Sequence, residues 1–479
     1  MIAALRRSYD PTTLLAAVLL LVATLATFAS GHVRSDLLLF TGQYTDRAHQ
    51  ADLYQMWAVG ALTASHPDIY SESARLELGA LMQAGAQHPG ATTREQQAAR
   101  YWGTAAVTGT PAIYAAFGYL QTGQWELDST AFQLVSLAAL IGSILWLGRR
   151  VRLGRAATLL LAGVVVATSE PLFLDLGWGN VDSIQVAMLT GYLVLRSGRG
   201  TDARTIAAGA LLGAAILLKP NLGLVIPLLG LELLLARRWR DAGVQLAGLA
   251  LAGVGALALT VLRYGSLDPW QAWISTFGSL APGYAVPGYS VPATLLHLTG
   301  VETPAASAVI SMSGLLLFAL LLTVGLLLVW SRPPRVRGRA AADPAAAEDR
   351  RWGREALLVG IAAGVTVLGS PFAWYHYFLL LTPLVVVLLR PGPDGLGGTP
   401  FVGLRQVAAA TSLLFLSGVL AQVAAAQGDP VPHLVSLAAG ASILVACALV
   451  ELSGRAPVGR AGAYPPQVGA PSAPPPVAA

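Results

Sequence analysis

Residues 130–155 read TAFQLVSLAALIGSILWLGRRVRLGR. The part at 130–148 carries no charge and matches the roughly 20 apolar residues that a helix needs to cross a bilayer. Arg149, Arg150, Arg152 and Arg155 close it, which is how a cytoplasmic loop is written. The same grammar repeats along the chain. Arg196, Arg199 and Arg204 follow the run at 180–195, Arg237, Arg238 and Arg240 follow 221–236, and Arg332 to Arg354 follow 306–330. Placing every cluster on the cytoplasmic side predicts an all-α integral membrane protein of about twelve transmembrane helices. The spans are Thr12 to Ala29, 130–148, 156–174, 180–196, 203–219, 221–236, 243–263, 306–330, 355–370, 374–390, 403–424 and 432–452. Arg6 and Arg7 precede the first, which reads as a retained span rather than a cleaved signal, with both termini cytoplasmic.

Composition points the same way. The 479 residues are 55% hydrophobic and 11% charged, against about 25% charged in soluble domains. That leaves too little polar surface to cover a water-exposed globule. Net charge is +5, but the basic residues lie in short clusters between apolar runs rather than in a stripe, so no nucleic acid is expected as a partner. A single cysteine, Cys447, rules out an intrachain disulfide. Among 30 basic residues the only lysine is Lys219.

Residues 1–454 read as one polytopic body. Within it, 31–103 is a long first outer loop, 264–305 a second outer loop, and 331–354 a charged cytoplasmic loop. The segment 104–120 would invert the Arg149–Arg155 side if it crossed fully, so it reads as a re-entrant or interfacial helix packed against protein. The Pro-, Gly- and Ala-rich stretch 455–479 reads as a disordered cytoplasmic tail.

This topology gathers distant polar groups on the outer face. Asp46 and Asp52 lie in the first outer loop, followed by Tyr54 and Trp57. A carboxylate held there has the chemistry of a general base toward a hydroxyl, and equally that of a solvated or helix-capping Asp. Asn180 and Asp182 stand in Trp178-Gly179-Asn180-Val181-Asp182-Ser183, at the start of a span, where such residues also cap. Lys219 precedes Pro220 at the outer end of a span; it either snorkels to the interface or meets a phosphate. His376 sits in Ser370-Pro-Phe-Ala-Trp374-Tyr375-His376-Tyr377, where Trp374 and Tyr375 suit an interfacial belt. There is no phosphate-binding P-loop, no HExxH and no GxSxG.

The order of these pieces resembles glycosyltransferase family 87, a branch of the integral-membrane type C glycosyltransferases. An outer-loop Asp precedes an aromatic helix, then come Trp-Gly-Asn-x-Asp, Lys-Pro closing a span, and Ser-Pro-x-x-Trp-x-His, from about Asp46 to Pro383. The resemblance implies the type C fold and inverting, metal-independent transfer of a sugar, mannose first among candidates. The donor would be a polyprenyl-phosphate sugar, the acceptor a lipid or glycan, and the site would face outward from the plasma membrane. No cofactor is implied. Asp52 matches the family's base, with Asp46 as understudy; Lys219 and His376 match donor-phosphate contacts, and Tyr54, Trp57, Asn180, Asp182, Trp374 and Tyr375 would line the substrate site. This chain departs from its relatives at Thr108-Gly-Thr-Pro111-Ala112 where they carry Tyr-Pro-Pro, at His376-Tyr377 where they pair histidines, and at Asn180 where Gln is usual. The alternative reading is a transporter or flippase of a lipid-linked sugar, for which midplane charges and inverted repeats would be expected.

Overall fold

The computed structural model describes residues 51–62, 68–85, 109–197, 201–279, 344–370, 373–390, 400–417 and 431–453, with a few isolated positions besides. Asp46, the span at 306–330, most of 12–29 and the tail 455–479 lie outside the described residues. Those described are helical, without a strand among them. In chain order the α-helices are α1 (Ala51–Leu62), α2 (Glu72–Gly85), α3 (Pro111–Leu120), α4 (Trp125–Arg150), α5 (Arg155–Thr168), α6 (Glu170–Trp178), α7 (Asp182–Arg196) and α8 (Asp202–Leu218). They continue as α9 (Val225–Leu235), α10 (Trp239–Tyr264), α11 (Asp268–Ser279), α12 (Pro344–Gly369), α13 (Thr382–Leu388), α14 (Pro400–Phe415) and α15 (Val431–Ser453). Two 3-10 helices, Pro220–Leu222 and Tyr375–Leu381, sit between them.

Four stretches among the described residues are long and apolar enough to cross a membrane: Trp125–Arg150, Trp239–Tyr264, Arg351–Gly369 and Val435–Leu452. They differ in what surrounds them. Arg351–Gly369 is buried along nearly its whole length and is the central post of the bundle. In α10, by contrast, a narrow stripe of Gln245, Gly248, Ala256, Thr260 and Tyr264 is buried, while Leu246, Leu251, Val254 and Leu257 face outward. An exposed aliphatic face on a 26-residue helix suits lipid rather than water. The buried stripe meets α8 through small residues. A Cβ on Gly209 would lie 2.3 Å from the Gln245 carbonyl oxygen, and one on Gly248 would lie 2.2 Å from that of Ile206. Only glycine allows this approach, the small-xxx-small packing of helices in lipid.

Several expected spans are interrupted. The run at 156–174 breaks at Ser169, which caps α6 by accepting from the Leu172 N–H at 3.3 Å. Pro171 in the next turn has no N–H to continue the α5 ladder. The span at 374–390 likewise opens as a 3-10 helix before Pro383 starts α13. The second half of the charged segment 331–354 is helix, because α12 begins at Pro344; the outer loop 264–305 contains α11. The segment read as re-entrant contains α3, whose ten residues span roughly 15 Å, half a hydrocarbon core. Its N-cap Thr110 also donates to the Leu217 carbonyl at 2.5 Å, tying α3 to the end of α8.

One end of the bundle is laced by charge. Arg150 and Arg152 both reach Asp349, at 2.7 and 3.1 Å, and Arg240 pairs with Asp202 at 2.7 Å. Arg196, read from sequence as a loop cation, is instead buried. Its Nε donates to Glu355 at 2.8 Å; Tyr192 donates to the same oxygen, and Gln245 donates to Tyr192 at 3.1 Å. This network pins α7 and α10 to the central α12.

Candidate active site

At the opposite end of α7 and α8 lie three chain breaks and the start of α1. The first break is the turn between α6 and α7. Gly179 ends α6 in the left-handed region (φ 71°), and the N–H of Asn180 returns to the Asp175 carbonyl at 2.7 Å. A Cβ at Gly179 would lie 2.3 Å from that of Leu53, so glycine is required both for the turn and for the seating of α1. Val181, the residue before α7, has no capping side chain. Asp175 supplies the cap from the preceding helix, accepting from the Asp182 and Ser183 backbone N–H groups at 3.0 and 3.1 Å and from the Ser183 hydroxyl at 2.6 Å. A carboxylate there also complements the positive end of the helix dipole. Capping by Asp175 leaves the Asp182 carboxylate and the Asn180 amide available for other partners.

The second break is Lys219-Pro220, where Lys219 leaves α8 in an extended conformation (φ −155°, ψ 120°). Gln185 holds this turn, with its amide nitrogen 2.9 Å from each of the Ala215 and Lys219 carbonyl oxygens and the Asn221 Oδ1. The third is the 3-10 helix that carries His376 and packs along α6, with Trp374 and Trp178 at 6.0 Å between ring centroids.

The side chains converge. Lys219 Nζ lies 3.2 Å from Asp182 Oδ2, 2.7 Å from Asn180 Oδ1 and 4.0 Å from the centre of the Tyr377 ring. Asn221 donates to Asp182 at 3.3 Å. Asn180 Nδ2 reaches Asp52 Oδ2 at 2.6 Å and His376 Nε2 at 3.0 Å. Asp182, Asn180 and His376 are buried, whereas Asp52, Lys219 and Tyr377 keep partial exposure and form the open side. Desolvation pushes the Asp52 carboxyl up from 3.8 to about 6, against the opposing pull of Lys219 and the Asn180 hydrogen bond. A carboxyl tuned this way is ionised at neutral pH yet basic enough to take a proton.

Of the residues singled out from sequence, Asp52, Asn180, Asp182, Lys219 and His376 are thus brought together. Tyr54 and Trp57 make contacts of another kind: their rings are 5.7 Å apart in a cluster with Trp125, and Trp57 Nε1 donates to Asp128 at 2.9 Å. They fix α1 against α4. Tyr375 packs against the main core. Asp175, Gln185, Asn221 and Tyr377 belong to the centre and were not singled out. Asp175 was detectable as a carboxylate in the apolar run of α6 and Tyr377 as the neighbour of His376 in the quoted motif; nothing local marked Gln185 and Asn221. Among the described residues no group of three His, Cys, Asp or Glu side chains is placed to hold a metal ion.

A family model described as glycosyltransferase family 87 matches residues 108–347, half of the chain. The chain belongs to glycosyltransferase family 87. The match includes Asn180, Asp182 and Lys219 and ends on either side short of Asp52 and His376, which the geometry joins to them. No curated protein and no solved structure matches this chain. A member of this family is a glycosyltransferase, and its apolar helices make it a membrane protein.

Proposed function

We propose that this enzyme transfers a sugar, with mannose as the leading candidate, from a polyprenyl-phosphate donor to a lipid or glycan hydroxyl with inversion. Asp52 is the general base. The observation that carries the reading is the partly open Asp52 carboxylate, linked through Asn180 to Lys219 and His376. Asp52 takes the acceptor proton as the hydroxyl oxygen attacks the anomeric carbon. The bond to the phosphate oxygen breaks on the opposite face, and the donor leaves as polyprenyl phosphate. Lys219 and His376 stabilise the charge that grows on that oxygen. Protonation of Asp52 removes one negative charge from the site as the phosphate gains one, so the local balance is kept.

Two features suit a lipid-borne donor. A small apolar pocket of about 30 Å³ is lined by Leu161, Val165, Phe378, Leu379 and Val386, and Phe378 stands two residues along the chain from His376. Its apolar lining marks a face along which the prenyl chain would run while the phosphate stays at the polar centre. The charge clusters of α4, α8, α10 and α12 meet at the end remote from Asp52, which supports a cytoplasmic position for them and an extracytoplasmic site in the plasma membrane. Purified protein in lipid, given radiolabelled polyprenyl-phosphate mannose and a membrane-lipid extract, should release polyprenyl phosphate and label a new product. A flippase would move the donor and leave its sugar–phosphate bond intact, and that result would overturn the reading.

A further inference from the structure

A side-chain amide has two acceptor positions on oxygen and two donor hydrogens on nitrogen. In Asn180 all four are in use. Oδ1 accepts from Lys219 Nζ at 2.7 Å and from the Val181 N–H at 2.8 Å; Nδ2 reaches Asp52 Oδ2 at 2.6 Å and His376 Nε2 at 3.0 Å. The orientation of the amide follows from its partners. An ammonium and a backbone N–H only donate, so oxygen must face them, and the carboxylate must face nitrogen. The residue is 7% exposed and its own N–H is tied to Asp175, so neither backbone nor side chain has slack.

We infer that Asn180 is the positioning residue of this centre: one buried amide holds the base Asp52, the cation Lys219 and the His376 ring in a single arrangement and touches no substrate atom. This rests on the proposed transfer reaction and deepens it. It departs from a substrate-binding role for Asn180, because a saturated amide has nothing left to offer a sugar hydroxyl. It also assigns the histidine. With Nε2 accepting from Nδ2, neutral His376 carries its proton on Nδ1.

The test uses the full chain in lipid nanodiscs, as wild type, Asn180→Ala and Asn180→Asp, with donor turnover followed from about pH 5 to 8. A misplaced base and cation lower kcat by roughly tenfold to a hundredfold, while KM for the donor changes by less than kcat, because Lys219 and His376 are displaced but not removed. The acidic limb of kcat moves up in Asn180→Ala, where Asp52 loses a donor that favours its charge, and further up in Asn180→Asp, where two carboxylates face each other. A rise in KM with an unmoved limb would make Asn180 a substrate contact and overturn the inference. So would activity loss that only tracks a lower melting temperature, with the pH profile unchanged. Nitrogen-15 spectra of histidine-labelled wild type, assigned with His376→Gln, read the tautomer independently of turnover: Nδ1–H supports the inference and Nε2–H overturns it. Wild type without transfer but with Nδ1–H would overturn the proposed reaction, and with it the positioning of a base, while upholding the hydrogen-bond arrangement around Asn180.

Discussion

Asp52→Asn should raise stability while abolishing activity. The Asp52 carboxyl lies at about 6 in the folded chain against an ordinary 3.8, and each unit corresponds to about 1.4 kcal/mol. The folded state therefore binds this proton more tightly than the unfolded state. As pH falls from above 6 toward 4, Asp52 adds up to about 3 kcal/mol to stability; at neutral pH that contribution is absent. Asn is neutral at every pH and still presents an oxygen to the Asn180 amide. Allowing for the partial exposure of Asp52, the substitution should gain about 1–3 kcal/mol at pH 7. Turnover should fall by about 10²–10⁴, the range for loss of a general base. Thermal unfolding in nanodiscs at pH 7 and pH 5, with donor turnover on the same samples, checks both signs. Wild type should become more stable on acidification relative to the variant. A variant that turns over within about threefold of wild type, or that melts several degrees lower, would refute the reasoning: the first removes the base, the second makes the charge a structural asset.

Further outcomes test the scaffold. Lys219→Met leaves Asp182 buried without its cation and should cost about 3–5 kcal/mol; adding Asp182→Asn should restore stability but not turnover, with a coupling above about 1 kcal/mol in the double-mutant cycle. Gly179→Ala combines a left-handed φ with a Cβ placed 2.3 Å from that of Leu53. It should unseat α1, lower stability by about 1–3 kcal/mol and expose Trp57, seen as a red shift in tryptophan emission. Arg263 donates to the Gly60 carbonyl at 2.6 Å near the end of α1; Arg263→Ala should cost about 1–2 kcal/mol and speed proteolysis between α1 and α3. Glu355→Ala should destabilise by about 3–5 kcal/mol by stranding buried Arg196, with donor KM unchanged in the folded fraction.

The membrane class was legible because charge and hydropathy act locally. A run such as 130–148 and the arginines after it state their solvent without reference to any partner. Helix breaks were harder. Pro171 and Pro383 were plain in the sequence, yet whether a proline kinks a span or ends it depends on what satisfies the freed carbonyls, and that is decided by neighbouring helices. Capping was misplaced for a related reason. Asn180 and Asp182 stand where caps belong, but a carboxylate seven residues earlier on another helix reached the same N–H groups, and only a folded turn brings Asp175 there. Arg196 looked like a loop cation because Glu355 is distant in sequence and no pattern announces that pair.

What the chain order alone determined is the apolar, membrane-type character of the body, the clustering of its charges between apolar runs, and five of the residues that meet at the centre. Each follows from single residues or short runs, whose transfer energies are nearly independent of fold. What the tertiary structure decided is connectivity. It showed that Asp52 reaches the centre through the N-terminus of α1, that Tyr54 and Trp57 pack with Trp125, and that one amide joins carboxylate, cation and imidazole. Hydrogen bonds are short-ranged and directional, so their partners are fixed only when separate helices have packed.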